Sequence, residues 1–192
     1  MKLQHRIKNL ADKNFNEVRK IRRHLHQYPE LSYQEKETGK YIAKQLKSMG
    51  IKYETGWAGT GIVAYIQGKK SSKKVIALRA DIDALPILEA NKVSYKSKNK
   101  GVMHACGHDV HTASLLGAAK ILNEVKNDFG GTLKLIFQPA EEKVPGGASI
   151  LIKEGVLKNP KPVSIIGQHV HPPLASGKIG LRPGQYLSLI HI

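Results

Sequence analysis

The sequence predicts an α/β fold, a mostly parallel sheet sandwiched by helices, and two patterns predict it. Segments with apolar residues at helical spacing alternate with short runs rich in Val, Ile and Leu, the alternation of βαβ units. Three of those runs lead directly into ligand-type residues, and open α/β sheets bind in the crevice beyond the carboxyl ends of their strands.

The elements come in this order. Phe15, Val18, Ile21 and Leu25 fall on one face of a first helix. It should stop near Tyr28-Pro29, because proline disfavours helical backbone in the residue before it. Ser32-Tyr33-Gln34-Glu35 has the form of a capping box opening a second helix, which turns Ile42, Leu46 and Met49 inward and ends at Gly50. Strand-like runs at 62–66 and 75–78 flank the lysine-rich 68–74, which reads as a solvated turn. A helix over about 109–125, a strand at 132–137, a helix near 147–154 and a strand over 163–170 complete the series.

A length of 192 residues suits one compact unit, and 41% apolar with 24% charged residues is ordinary globular composition. The formal charge of +16 raises nucleic acid or an acidic surface as partners. Six of the 31 cations are arginine, however, and the lysines are dispersed, so the charge reads as a solubilising surface and no nucleic-acid partner is expected. Cys106 is the single cysteine, which excludes an internal disulfide and suits a reducing cytoplasm. The first residues lack the apolar stretch of a signal peptide and no run has the length of a membrane span, so no membrane association is expected.

Four polar clusters could share one crevice: Asp81 with Asp83, His104 through His111, Glu141 with Glu142, and His169 with His171. Thiolate, imidazole and carboxylate together are the donor set of zinc and its first-row neighbours. Gly107 lets the backbone bend so that Cys106 and His108 reach one centre, although a lone cysteine is more often a small buried hydrophobe. His104 and His111 read equally as a polar helix edge. Glu141 and Glu142 are adjacent, so their side chains should diverge, one free to bind metal and the other to act as general base and acid. His169 closes an apolar run, and His171 competes with it. Asp81 and Asp83 could bind metal or hold a ligand imidazole, or each could fold onto its own backbone in a turn before Pro86.

Arg79-Ala80-Asp81-Ile82-Asp83-Ala84-Leu85-Pro86, Met103-His104-Ala105-Cys106-Gly107-His108-Asp109, Gln138-Pro139-Ala140-Glu141-Glu142 and Gly167-Gln168-His169-Val170 resemble the successive signatures of the M20 metallopeptidase family. Arg23-His24-Leu25-His26-Gln27-Tyr28-Pro29-Glu30-Leu31 is similar to the opening of its amidohydrolase branch, which includes hippurate hydrolases, N-acyl-amino-acid deacylases and auxin-conjugate hydrolases. The resemblance runs in order from about Arg22 to Gly184.

It implies a zinc-exopeptidase-like catalytic domain with two divalent metal ions, zinc or manganese. Cys106 would be the bridging ligand, with His108, Glu142 and His169 as further ligands. Glu141 would be the general base, Asp83 would support a metal-site group from behind, and Asp81 stands where other branches carry a ligand histidine. The implied reaction is hydrolysis of the amide bond of an N-acyl amino acid by activated water, with a dipeptidase or aminopeptidase of the same family, or a non-catalytic basic metal- or polyanion-binding protein, as alternatives. Members of the family are longer and homodimeric, with an inserted lid domain and a distal ligand histidine. Residues 1–186 are accordingly expected to be the amino-terminal part of the catalytic domain, weakly active or inactive alone, and 187–192 an atypical tail whose His191 does not replace the missing ligand.

Overall fold

The computed structural model describes residues 2–181. Two helices, α1 (Leu3–Gln27) and α2 (Lys36–Ser48), precede strands β1 (Lys52–Trp57), β2 (Gly61–Gln67) and β3 (Lys70–Asp81). Then come α3 (His108–Glu124), β4 (Gly130–Gln138), α4 (Gly147–Lys153) and β5 (Ser164–Gly167). The strands form one sheet in the order β1-β2-β4-β3-β5. β3 runs parallel to both β4 and β5, whereas β2 is antiparallel to β1 and β4.

The α/β class is as expected, and the hairpin β1–β2 makes the sheet mixed. Periodicity missed β1 because this edge strand leaves Lys52, Glu54, Thr55 and Gly56 exposed and so lacks an apolar run. The expected strand over 163–170 is shorter, and all four residues of β5 are exposed.

Side chains alternate across the sheet as the pleat requires. Ile62, Ala64, Ile66, Leu135 and Phe137 join a core with Ile21 and Leu25 of α1, Ile42 and Leu46 of α2 and Leu116 of α3. On the opposite face Val63, Ala77 and Ile136 pack with Leu151 of α4 and Val156. Lys134 is buried on that second face, where its ammonium donates to the Val156 carbonyl at 2.6 Å. No helix among the described residues is long and apolar enough to cross a membrane.

Several local expectations change. Helix α1 begins at Leu3, and Phe15 is 61% exposed under the Arg19 guanidinium, so the buried stripe starts at Val18. The expected capping box does not form. The Glu30 carboxylate instead accepts the N–H groups of Glu37 and Thr38, which leaves Ser32 and Glu35 to turn inward. The expected boundary between 186 and 187, and His191, lie outside the described residues.

A buried ion cluster ties the end of α1 to the start of α3. His26 places Nδ1 at 2.7 Å from Asp109 and Nε2 at 3.0 Å from Glu89, while Arg22 Nε lies 2.8 Å from the same Asp109 oxygen. Glu89 also accepts the Ser97 N–H, so the connection from β3 to α3 is fixed to the same point. A carboxylate at each ring nitrogen favours the imidazolium form of His26. The hydrogen bond to Asp109 raises its pKa, burial opposes that, and Glu89 reinforces the rise.

Because the folded pKa is raised, this stabilisation is complete below the ordinary value of 6.5 and is lost as pH rises through the raised one. His26→Gln is expected to cost about 3 kcal/mol at pH 6, the scale of breaking a buried ion pair, and distinctly less at about pH 9. Thermal or urea unfolding of both proteins at the two pH values measures this; equal losses would contradict the ion-pair account.

Candidate metal centre

Strands β3, β4 and β5 are parallel, so their carboxyl ends lie along one edge of the sheet. β3 runs into Ile82-Asp83, β4 into Pro139-Ala140-Glu141-Glu142 and β5 into Gln168-His169. Helix α3 starts at the same place with His108, preceded by Cys106-Gly107. The crevice anticipated from the strand ends is therefore built.

His108 is its hub and is 1% exposed. Its Nδ1 lies 2.9 Å from the Asp83 carbonyl oxygen and 3.1 Å from the Asp83 carboxylate. That turns Nε2 into the crevice, 3.7 Å from Asp81, 3.7 Å from Glu142 and 4.0 Å from Glu141. His108 Nε2 and Glu142 Oε1 are both buried and neither makes a hydrogen bond. Cys106 Sγ lies 3.4 Å from His169 Nε2, and His169 is held in that orientation by its Nδ1–H donating to the Val170 carbonyl.

Donor atoms within 4.8 Å of one another form three groups among the described residues: Cys106, His108 and His169; His108, Glu141 and Glu142; and Asp81, His108 and His111. The first two gather Cys106, His108, Glu141, Glu142 and His169. The third is already engaged. His111 donates from Nδ1 to Asp81 at 2.6 Å and accepts the Val170 N–H on Nε2 at 2.9 Å, while Arg79 occupies the other Asp81 oxygen at 2.8 Å.

Asp83 is engaged as well. One carboxylate oxygen faces His108, and the other accepts the Ser32 hydroxyl at 2.6 Å and the Glu142 N–H at 3.0 Å. Asp81 and Asp83 thus bridge elements, and the local-turn reading fails because their carboxylates meet Arg79, His111, His108, Ser32 and the Glu142 N–H rather than their own backbone. His111 is buried rather than edging a helix. His104 lies before α3, also buried, and burial pushes its pKa down to about 4. His171 is exposed and joins none of the donor groups.

Glu141 and Glu142, expected to diverge, both approach the same imidazole nitrogen. Residues 141–145 are bends and turns that follow Ala140, which has φ 48, so the alternation of a strand does not apply to the pair. Ser32 and Glu35 were legible only as helix caps, and no periodic signal marks their inward bonds.

The electrostatics favour a cation. Burial works against charge on His108, but the Asp83 hydrogen bond, Cys106 and the field of Asp81 outweigh it and push its pKa up to about 11. Burial likewise opposes ionisation of Asp81, yet His111, His108 and Arg79 hold it at about 2. Glu141 is raised by burial and then by the charge of Glu142.

Residues 77–189 match the family model described as peptidase family M20/M25/M40. The N-acyl-L-amino acid amidohydrolase of Geobacillus stearothermophilus is 44% identical over 182 residues, covering 95% of this chain and 48% of its own length. The N-acetyl-L-cysteine deacetylase of Bacillus subtilis is 49% identical over 170 residues, covering 88% of this chain and 40% of its own. A solved Bacillus subtilis structure, described as a dinuclear metal binding peptidase from the M20 family, superposes with a TM-score of 0.82 at 44% identity, covering 87% of this chain and 46% of that one. The chain spans about half the length of the curated relatives it matches.

Two substitutions probe the geometry. Gly107 has φ +84, and a Cβ there would lie 2.2 Å from Val170 Cγ2. Gly107→Ala is expected to lower stability by about 1–3 kcal/mol, through strain at positive φ and displacement of the His169 segment, measurable by denaturant unfolding. His111→Phe removes the acceptor of the Val170 N–H, and hydrogen exchange at that amide should accelerate at least about 10-fold. Unchanged exchange would mean that His111 does not hold the segment.

Proposed function

Because the chain belongs to the peptidase family M20/M25/M40, we propose that this crevice holds two divalent metal ions and hydrolyses the amide bond of N-acyl amino acids. The observation that carries the reading is the pair of buried, unbonded donor atoms, His108 Nε2 and Glu142 Oε1, facing one another from α3 and the loop after β4. Buried polar atoms are costly unless paired or coordinated, and their type suits a metal. Cys106, His108, Glu142 and His169 are the proposed ligands. The mixed thiolate, imidazole and carboxylate set suits zinc and accepts manganese.

When bound, the ions supply Lewis acidity toward the scissile carbonyl and lower the pKa of the attacking water. The chain supplies the rest. Asp83 fixes His108 through Nδ1, so that Nε2 faces the crevice, and His108 gives up the crevice-side proton in taking a cation. Glu141 receives the proton of the water and delivers it to the departing amine. Burial and the neighbouring Glu142 raise its pKa toward the range in which one carboxyl serves as both base and acid.

The substrate class rests on the activities named for the amidohydrolase and deacetylase relatives. Since those relatives are about twice as long, the activity proposed is that of a whole protein of the family, to which this chain brings the residues above. A free Cys106 in the centre is consistent with a reducing, cytoplasmic setting.

Calorimetric titration with zinc or manganese is expected to show stoichiometric uptake, weakened more than about 10-fold by Cys106→Ser and by Glu142→Ala. In a metal-loaded protein of family length that carries these residues, hydrolysis of an N-acetyl or N-benzoyl amino acid should fall at least about 100-fold in Glu141→Gln, with uptake retained. Absence of uptake, or uptake indifferent to both ligand substitutions, would refute the assignment.

A further inference from the structure

Glu35 is fully buried at the threshold of α2, where its backbone carbonyl accepts the Gly39 N–H, but its side chain makes no cap bond and the Glu37 and Thr38 N–H groups go to Glu30. Its carboxylate crosses to the sheet. Oε2 accepts the Thr60 hydroxyl at 2.7 Å, and Oε1 accepts the Ala140 N–H at 2.8 Å, from a residue 105 positions away.

Ala140 is the left-handed residue at which the chain leaves the path of β4, with φ 48 and no exposed surface. A residue with a Cβ resists that conformation by about 1–2 kcal/mol, and it persists where surrounding contacts over-determine it. Those contacts are visible. Besides the N–H held by Glu35, the Ala140 carbonyl accepts the Gly147 N–H at 2.8 Å and the Glu142 N–H is held by Asp83.

The turn sets the direction in which the segment carrying both glutamates leaves β4. Adjacent side chains on extended backbone point to opposite faces. Here Glu141 and Glu142 both lie within 4.0 Å of His108 Nε2. We propose that Glu35 is a positioning residue for the centre: by holding the Ala140 N–H it fixes the left-handed turn that aims Glu141 and Glu142 at His108. The inference rests on the reading of the crevice as a metal centre.

Cobalt(II) titration of the full 192-residue chain tests it, with Cys106 as an internal reporter through its thiolate-to-cobalt absorption band. Glu35→Ala is expected to weaken affinity about 10–100-fold, the scale for residues that orient ligands. The thiolate band at saturation stays, because Cys106 and His169 sit on other segments. Glu35→Gln, which keeps an acceptor for Ala140, recovers most of the affinity. Adding Ala140→Gly to Glu35→Ala recovers part, because glycine enters the left-handed region without the Cβ penalty. Glu35→Asp, one methylene too short, shows the same pattern more mildly and replaces Glu35→Ala if thermal melts show that variant unfolded. Wild-type affinity in the Ala or Asp variant, or a loss that neither Gln nor Ala140→Gly relieves, overturns the proposal and leaves Glu35 a structural staple. Failure of the wild-type chain to take up cobalt overturns the metal reading itself, and this one with it.

Discussion

The Asp83 carboxylate accepts at once from Ser32 ahead of α2, from His108 at the start of α3 and from the Glu142 backbone after β4. Those residues are 51, 25 and 59 positions from it, so one buried group defines where otherwise independent segments meet. A carboxylate without exposure is costly unless hydrogen-bonded, and these three donors occupy three of its roughly four acceptor sites. Moving any one of the segments would cost this buried carboxylate a donor.

Around that point the charges are arranged in two roles. Asp81 and Asp83 are enclosed by donors and kept ionised, so they act as fixed negative field and as hinges for His111 and His108. Glu141 and Glu142 stay partly reachable and are less completely bonded. Carboxylates thus fall into two sets at this crevice, separated by how many donors each oxygen meets.

Much of this was legible in the sequence where a residue's role follows from its own position. Ile62, Leu135 and Leu116 announce buried faces by periodicity, and the clusters at the ends of β3, β4 and β5 mark the crevice because parallel strands end together. What was illegible depends on partners distant in the chain. Strand β1 is stabilised by its pairing with β2 and carries no apolar pattern. Ser32 and Glu35 have the spacing of a helix cap, but Glu30 takes that place and frees them for contacts with Asp83 and Ala140. Glu141 and Glu142 converge on a bent segment that follows a left-handed alanine, and no residue type advertises either feature.

The contact between His26 and Asp109 has a consequence for the order of assembly. It joins residues 83 apart, and closing a loop of that size costs about 4 kcal/mol of chain entropy before any contact returns it. The long amino-terminal helix therefore cannot lock the start of α3 until more than half of the described chain is available to fold. A short peptide carrying Cys106-Gly107-His108 would contain two of the donors and nothing that orients them. The crevice is thus a product of the topology, built from segments that only the fold brings together.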